Sequence, residues 1–284
     1  MSQKELFETT YHWIYPFLKK FYDLSGTLTP LAGEIDLNFK IETNQGEVFL
    51  LKLYDPNTDL DFLDFQEAIL KYLNGESHKL PVPEIILNKE GHSTSVFKED
   101  EFNIRKTRLL SWLDGRLYND VNPQKENLRY SLGLFCGLLS NSLDNFDHPY
   151  AHREYPWDIA QGLWTQDHLD LFNSEERNIL DYFLNQFSSI KQQYDLLRKA
   201  VVHNDANDYN CIVSEDLVDP QVVALIDFGD AIYTQVINDV AIACTYAIMG
   251  FEDPLEAAIP LLKGYHASYP LQEDELEVLY HCIA

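Results

Sequence analysis

Asp205, Asn210 five positions later, and Asp227 offer oxygen atoms at the ends of short apolar runs. Val201-Val202 leads into His203-Asn204-Asp205-Ala206-Asn207-Asp208-Tyr209-Asn210, and Cys211-Ile212-Val213 follows. Further on, Val222-Val223-Ala224-Leu225-Ile226 ends in Asp227-Phe228-Gly229-Asp230. Apolar runs that stop at polar clusters are the pattern of buried strands presenting side chains at their ends. Carboxylate and carboxamide oxygens suit a hard divalent cation, and a carboxylate also accepts the hydrogen bond of a hydroxyl. Taken singly, each residue reads as an ordinary turn former, because Asp, Asn and Gly are common between strands. The ordered set offers ligands for a divalent cation beside an acceptor for a hydroxyl.

An Asp, then an Asn, then a strand-terminal Asp-Phe-Gly is similar to the catalytic loop and metal-binding motif of kinases. Phosphoryl transfer needs the reacting groups positioned and the phosphate charge neutralised. On that resemblance, Asp205 accepts the hydrogen bond of the substrate hydroxyl and turns it in line with the γ-phosphate. Asn210 offers its amide oxygen to Mg²⁺ without adding negative charge, and Asp227 ligates Mg²⁺ bridging the phosphates. His203 is expected to brace the loop rather than titrate. A two-lobed kinase also implies a lysine on an early strand. Lys52, in Phe49-Leu50-Leu51-Lys52-Leu53-Tyr54, fits, since a lone lysine in an apolar strand is costly unless its ammonium meets an anion. Its role would be to hold the α- and β-phosphates; the alternative is an outward lysine on an edge strand. Its acidic partner is expected on the next helix at Glu67, with Gln66 the other reading of that helix's phase. The Gly-x-x-x-x-Gly-Lys-Ser/Thr phosphate loop is missing, which disfavours the other large class of ATP-dependent phosphotransferases.

Placing these residues takes strands early and helices late. Residues 3–22 repeat Leu6, Tyr11, Ile14, Phe17, Leu18 and Phe21 near helical spacing. Residues 39–42 and 48–53, separated by Asn44-Gln45-Gly46, read as an antiparallel hairpin. Residues 61–73 return to helical spacing until Leu80-Pro81-Val82-Pro83 breaks it. Strand-like pieces at 94–98 and 103–111 complete a small lobe. Beyond Asp114-Gly115 the pattern is mainly helical, at 127–143, 175–187, 238–249 and 254–265. The last stretch, 275–284, reads as an amphipathic helix that stops without a cap, which raises the expectation of a truncated end. The expected class is α+β, a two-lobed protein-kinase-like fold. Residues 1–113 would form a small antiparallel-sheet nucleotide-binding lobe, and 114–284 a mainly helical catalytic and substrate lobe.

Together these segments resemble the aminoglycoside phosphotransferase and choline kinase superfamily, especially its branch of hydroxylysine kinase and homoserine-kinase-like proteins. The stretch from His203 through Asn210 and Ile226-Asp227-Phe228-Gly229-Asp230 are similar to that branch. Leu31-Ala32-Gly33-Glu34-Ile35-Asp36-Leu37-Asn38-Phe39 resembles its nucleotide-covering loop, which implies nucleotide contacts for Gly33, Asp36 and Asn38. Arg108-Leu109-Leu110-Ser111-Trp112-Leu113-Asp114-Gly115 resembles its hinge, so adenine is expected at main-chain groups near Leu110, Trp112 and Leu113. Asp239 matches a carboxylate that braces the catalytic loop, the alternative being a plain helix-start Asp. The resemblance implies ATP and Mg²⁺ as cofactors and a small hydroxyl acceptor, cationic or zwitterionic. Hydroxylysine-like or homoserine-like acceptors come first, with choline, ethanolamine or an aminoglycoside behind. A glycine-rich Gly-x-Gly-x-x-Gly loop and an Ala-Pro-Glu segment are both missing, and Asn204 stands where a protein kinase has arginine, which argues against a protein substrate. The alternative function is a non-catalytic nucleotide-binding module or the N-terminal part of a fused enzyme. A hydrolase triad is disfavoured, as Cys211 lies inside an apolar run.

Composition narrows the partners. The 284 residues hold 46 acidic and 21 basic side chains, a formal charge of −25, which repels a phosphate backbone and excludes nucleic acid as an expected partner. Such acidity serves solubility, or collects a cationic substrate around the site. Cys136, Cys211, Cys244 and Cys282 form no Cys-x-x-Cys pair and read as small buried hydrophobes. Apolar stretches fall short of a membrane span and the N-terminus lacks a secretory pattern, so a cytoplasmic location is expected.

Overall fold

The computed structural model describes residues 11–33, 35–75, 80–98 and 104–284. Leu6 and the first part of the helical pattern at 3–22 lie outside the described residues, as do Glu34 and Asn103.

Strand alternation builds the first sheet. Strands β1 (Gly26–Leu31), β2 (Leu37–Thr43) and β3 (Val48–Leu53) run antiparallel, and β3 pairs onward with β6 (Ile104–Ser111). Two short strands, β4 (Ile85–Ile86) and β5 (Ser95–Lys98), both pair with β6. On one face Leu28, Phe39, Ile41, Leu51, Leu53 and Leu109 are buried against Ile14, Phe17 and Leu18 of helix α1 (Ile14–Tyr22). Each such side chain contributes about 1.5–3 kcal/mol by leaving water. With a period of two, this core face sends Lys52 to the other side. There the register sets it beside Asn38 on β2 and Arg108 on β6. Helix α2 (Leu60–Leu73) reaches the same face, where Gln66 accepts from Tyr54 and Glu67 from Arg108.

The chain divides into two compact units, Met1–Lys71 with Pro83–Leu113, and Tyr72–Val82 with Asp114–Ala284. The division expected at 113/114 is one boundary, but the segment Tyr72–Val82 belongs with the second unit, where the Tyr72 ring lies tilted against Phe146 at 4.9 Å.

In the second unit, helix α3 (Glu126–Leu143) crosses α6 (Pro254–Ser268) at short range because glycine lines the contact. A Cβ at Gly133 would strike the Leu261 carbonyl, and one at Gly264 the Tyr130 carbonyl. Helix α4 (Ser174–Asp195) starts with an Asn173/Glu176 capping box. Helices α5 (Ile237–Ile248) and α7 (Glu273–Ile283) complete the helical part. Arg198 anchors α7 with a two-pronged pair to buried Glu275, at 2.7 and 2.9 Å. Two small antiparallel ladders lie among the helices. One orders β10 (Val222–Leu225), β9 (Cys211–Val213) and β7 (Arg116–Leu117); the other pairs β11 (Ile232–Gln235) with β8 (Lys199–Val202).

An antiparallel sheet followed by a mainly helical region is the α+β class expected. Sequence spacing did not reveal β1, β4 or β11, nor the 3₁₀ run Ile159–Leu171, which buries no side chain and so leaves no apolar period to detect. Among the described residues no helix is long and apolar enough to cross a membrane.

Candidate active site

Strand β8 delivers His203 into the interior, where its ring meets Phe228 edge-on at 4.7 Å. The Asp205 N–H donates to Nδ1 at 3.2 Å, so Nε2 bears the proton and donates to the Ile226 carbonyl at 3.0 Å. Burial pushes the His203 pKa down to about 4, against the pull of the Ile226 carbonyl and Asp227. The neutral ring links the loop from His203 to Asn210 to the strand end before Asp227. Asp239, only 1% exposed, accepts from the His203 N–H at 3.1 Å and the Asn204 N–H at 2.8 Å. Burial raises its pKa to about 6, and those two N–H groups oppose the rise. The carboxylate thus serves the loop, and holds Asn204 in the left-handed region at φ 63°, a conformation Asn tolerates.

Asp205 and Asn210 touch. The Asn210 amide nitrogen donates to the Asp205 carboxylate at 2.6 Å and to its carbonyl at 3.0 Å. Asn207 donates to the other carboxylate oxygen at 2.8 Å while its own oxygen accepts from the Tyr209 and Asn210 N–H groups. The Asn210 carbonyl then accepts from the Ile226 N–H at 2.9 Å, which ties this loop to the residue before Asp227. Burial raises the Asp205 pKa to about 7; Asn207 and Asn210 lower it, and the neighbouring Asp230 and Asp227 add to the rise. Asp227 is exposed at φ 60°, with Oδ1 accepting from the Gly229 N–H at 3.2 Å. A positive φ on a non-glycine residue is uncommon and costs some backbone strain, although Asp adopts it more readily than most. Asp205, Asn210 and Asp227, with braces His203 and Asp239, therefore form one cluster within the second unit.

In the first unit Lys52 Nζ lies 3.6 Å from Asp36 Oδ2 with its side chain mostly buried. The other Asp36 oxygen accepts from the Asp55 N–H at 3.0 Å, and Asn38 donates to the Ala32 carbonyl at 3.2 Å. A Cβ at Gly33 would collide with the Asp36 carbonyl and the Asn38 amide, so this turn closes only on glycine. Glu67 is engaged by Lys71, Ser93 and buried Arg108. Burial pushes its pKa up, but these three partners hold the carboxyl below its usual range. Leu110 pairs with Leu50 and Ile85 in the sheet. Trp112 and Leu113 follow Ser111, the last residue of β6, and Lys40 sits 5.2 Å over the Trp112 ring.

Sequence reasoning missed Asn207 and Arg108. Arg108 shares its strand with Arg105 and Lys106, so no lone-cation signal singled it out. Asn207 lay inside the motif, but its two-sided role depends on the fold of the loop.

The first unit thus carries a sheet with a paired lysine, and the second a cluster of Asp205, Asn210 and Asp227 on strand-end loops. The profile of the phosphotransferase enzyme family (APH) matches residues 27–276, and the chain belongs to that family. It is thus an ATP-dependent small-molecule kinase, which replaces the non-catalytic reading. It is 23% identical to the hydroxylysine kinase of Mus musculus over 278 residues, spanning 89% of this chain and 73% of that protein. The hydroxylysine kinase of Danio rerio is 22% identical, spanning 93% and 77%. Among solved structures, the amicoumacin kinase hAmiN, in complex with AMP-PNP, Ca²⁺ and Ami, superposes with a TM-score of 0.74 at 16% identity, covering 100% of this chain and 85% of that one. A microcompartment-associated aminopropanol kinase gives 0.71 at 16%, covering 96% and 85%. At these identities the structural likeness shows the fold.

Proposed function

We propose that this kinase moves the γ-phosphate of ATP to a hydroxyl of a small amine-bearing metabolite, hydroxylysine-like or homoserine-like, with Mg²⁺ as its metal. The observation that carries the reading is the Asp205–Asn210 contact. Both hydrogen-bonding directions of the Asn210 amide nitrogen go to Asp205, which turns the amide oxygen the other way. A neutral oxygen there, and the exposed Asp227 carboxylate nearby, form a donor set that fits Mg²⁺, which takes one or two carboxylates and completes its shell with phosphates.

Asn210 and Asp227 would hold the metal, which supplies charge neutralisation on the phosphates when bound. Asp205 accepts the hydrogen bond of the acceptor hydroxyl, directs it in line, and takes its proton as the bond to phosphorus forms. A carboxylate with a pKa near 7 is suited to this task at neutral pH. His203 stays neutral, and with Asp239 it fixes the loop. Lys52 holds the α- and β-phosphates, with Asp36 beside it and Glu67 shaping its surroundings through Arg108. The turn at Gly33 and Asn38 covers the nucleotide, and Leu110, Trp112 and Leu113 meet the adenine. The charge of −25 and the carboxylates around Asp205 favour a cationic acceptor, as do the names of the hydroxylysine and aminopropanol kinases it is similar to. The need for ATP suits a cytoplasmic location.

A coupled ADP assay across amino alcohols, hydroxylated amino acids and aminoglycosides tests this reading. Mg²⁺-dependent ADP formation is expected with an amine-bearing alcohol, and little without acceptor. A response confined to acceptors without an amine would overturn the substrate class.

A further inference from the structure

Arg153 stands at the start of a segment that touches both halves of the catalytic cluster, although its sequence surroundings give no sign of it. The guanidinium lies 5.2 Å from the Tyr150 ring and 4.9 Å from the Tyr155 ring. Held there, it donates to the Ala231 carbonyl at 2.8 Å and the Gly229 carbonyl at 3.3 Å, which flank Asp230. The Tyr155 hydroxyl donates to the Asp230 carboxylate itself at 2.5 Å. Two residues on, the Trp157 carbonyl accepts from the Asn204 side chain at 3.3 Å, one position before Asp205. Asp158 then accepts from Thr234 at 2.9 Å and Asn238 at 3.2 Å, which fixes the end of the segment to β11 and α5.

The turn being held is the one in which Asp227 adopts φ 60°. A strained residue keeps one direction only if its surroundings over-determine it. Gly229 is the residue whose N–H already binds Asp227 Oδ1, so a donor on the Gly229 carbonyl restrains the next peptide of the same turn. Arginine suits this work because its planar fork places several donors at fixed angles, whereas a lysine ammonium is a single point. Its charge also faces the Asp230 carboxylate, which it attracts.

We infer that Arg153, assisted by Tyr155, is a positioning residue that sets the direction of the Asp227 carboxylate and thereby the affinity of the kinase for its divalent cation. This rests on the reading of Asp227 as a metal ligand. Partners that orient a metal ligand are worth about 10–100-fold in metal affinity.

The test is thermal unfolding of the full chain at fixed AMP-PNP while MgCl₂ is titrated, reading the Mg²⁺ concentration at half of the nucleotide-dependent shift. Arg153→Ala and Arg153→Lys should both raise that midpoint by about 10–100-fold, and Tyr155→Phe should raise it by about tenfold or less. Melting without nucleotide confirms that each variant is folded. Should Arg153→Ala fail to fold, Arg153→Lys and Tyr155→Phe decide the matter. A wild-type midpoint in folded Arg153→Lys would overturn the fork, and in both arginine variants the whole inference. Asp227→Asn separates the two levels. If it shifts the midpoint and the arginine variants do not, positioning by Arg153 is wrong. If Asp227→Asn itself keeps the wild-type midpoint, the metal-ligand reading fails and takes this inference with it.

Discussion

The cationic face of the first unit and the acidic loops of the second are built by different means. Lys52 owes its place to strand register, facing Asn38 on one neighbour and Arg108 on the other. Its position depends on residues far along the chain that pair as a sheet. Asp205 owes its place to neighbours within five positions, Asn207 and Asn210, with the buried Asp239 clamping the backbone. The first arrangement balances cations against carboxylates. The second crowds carboxylates together and pushes Asp205 toward neutrality. The lysine proposed to hold the phosphates is kept beside a carboxylate, whereas the residue proposed to accept a proton sits where burial and neighbouring carboxylates raise its pKa.

The largest effect expected from this contrast is at Asp205. Asp205→Asn should lower phosphoryl transfer by about 10²–10⁴-fold while remaining folded, since it removes a half-buried charge repelled by Asp227 and Asp230 but sets an amide N–H₂ against the donors of Asn207 and Asn210. Wild-type turnover by the folded variant would contradict the account.

Lys52→Met comes next. About 100-fold loss in kcat/KM for ATP is expected if its ammonium stabilises the phosphates, with the acceptor KM changed far less. An unchanged KM and kcat would leave Lys52 no part in holding the phosphates.

A pH profile separates the two regions without mutation. Asp205 must be ionised to accept the proton, and its pKa lies near 7, so kcat/KM for the acceptor should be full above that value. It should fall by about tenfold per unit as pH drops below it. His203, with its pKa held near 4, contributes no inflection in this window. A profile flat from pH 5.5 to 8 would remove the raised pKa from the mechanism.

Glu67→Gln is expected to act mainly on stability, by about 1–3 kcal/mol, because buried Arg108 loses its anionic partner. Denaturant unfolding measures this, and ATP kinetics on the same protein show how far Arg108 transmits the change to Lys52. Smallest of all, iodoacetamide treatment of the folded enzyme should leave activity unchanged, since all four cysteines are buried.

The same contrast explains what the sequence disclosed. The Asp205-to-Asn210 loop and the Asp-Phe-Gly turn are local, so their residue types and spacing could be read directly. Helices α2, α3, α5 and α6 declared themselves through apolar periods, and their ends fell within a few residues of the expected ones. Pairings across the sheet were less legible. Glu67 is expected as the lysine's partner because it is an acidic residue on the next helix, but its contact with Arg108 depends on β6 lying beside β3. Strand β11 pairs with β8 across 30 positions, from Ile232 to Val202, and no short window contains that information. Arg153 illustrates the limit, because its partners, the carbonyls of Gly229 and Ala231, are backbone groups with no residue type to betray them.

Acceptor-dependent ADP formation by the wild type, beside Asp205→Ala, Asn210→Ala and Asp227→Ala under the same MgATP, tests the central claim most directly. The account predicts turnover that requires Mg²⁺ in the wild type and collapses in all three variants while each remains folded. Full turnover by Asp205→Ala would contradict it.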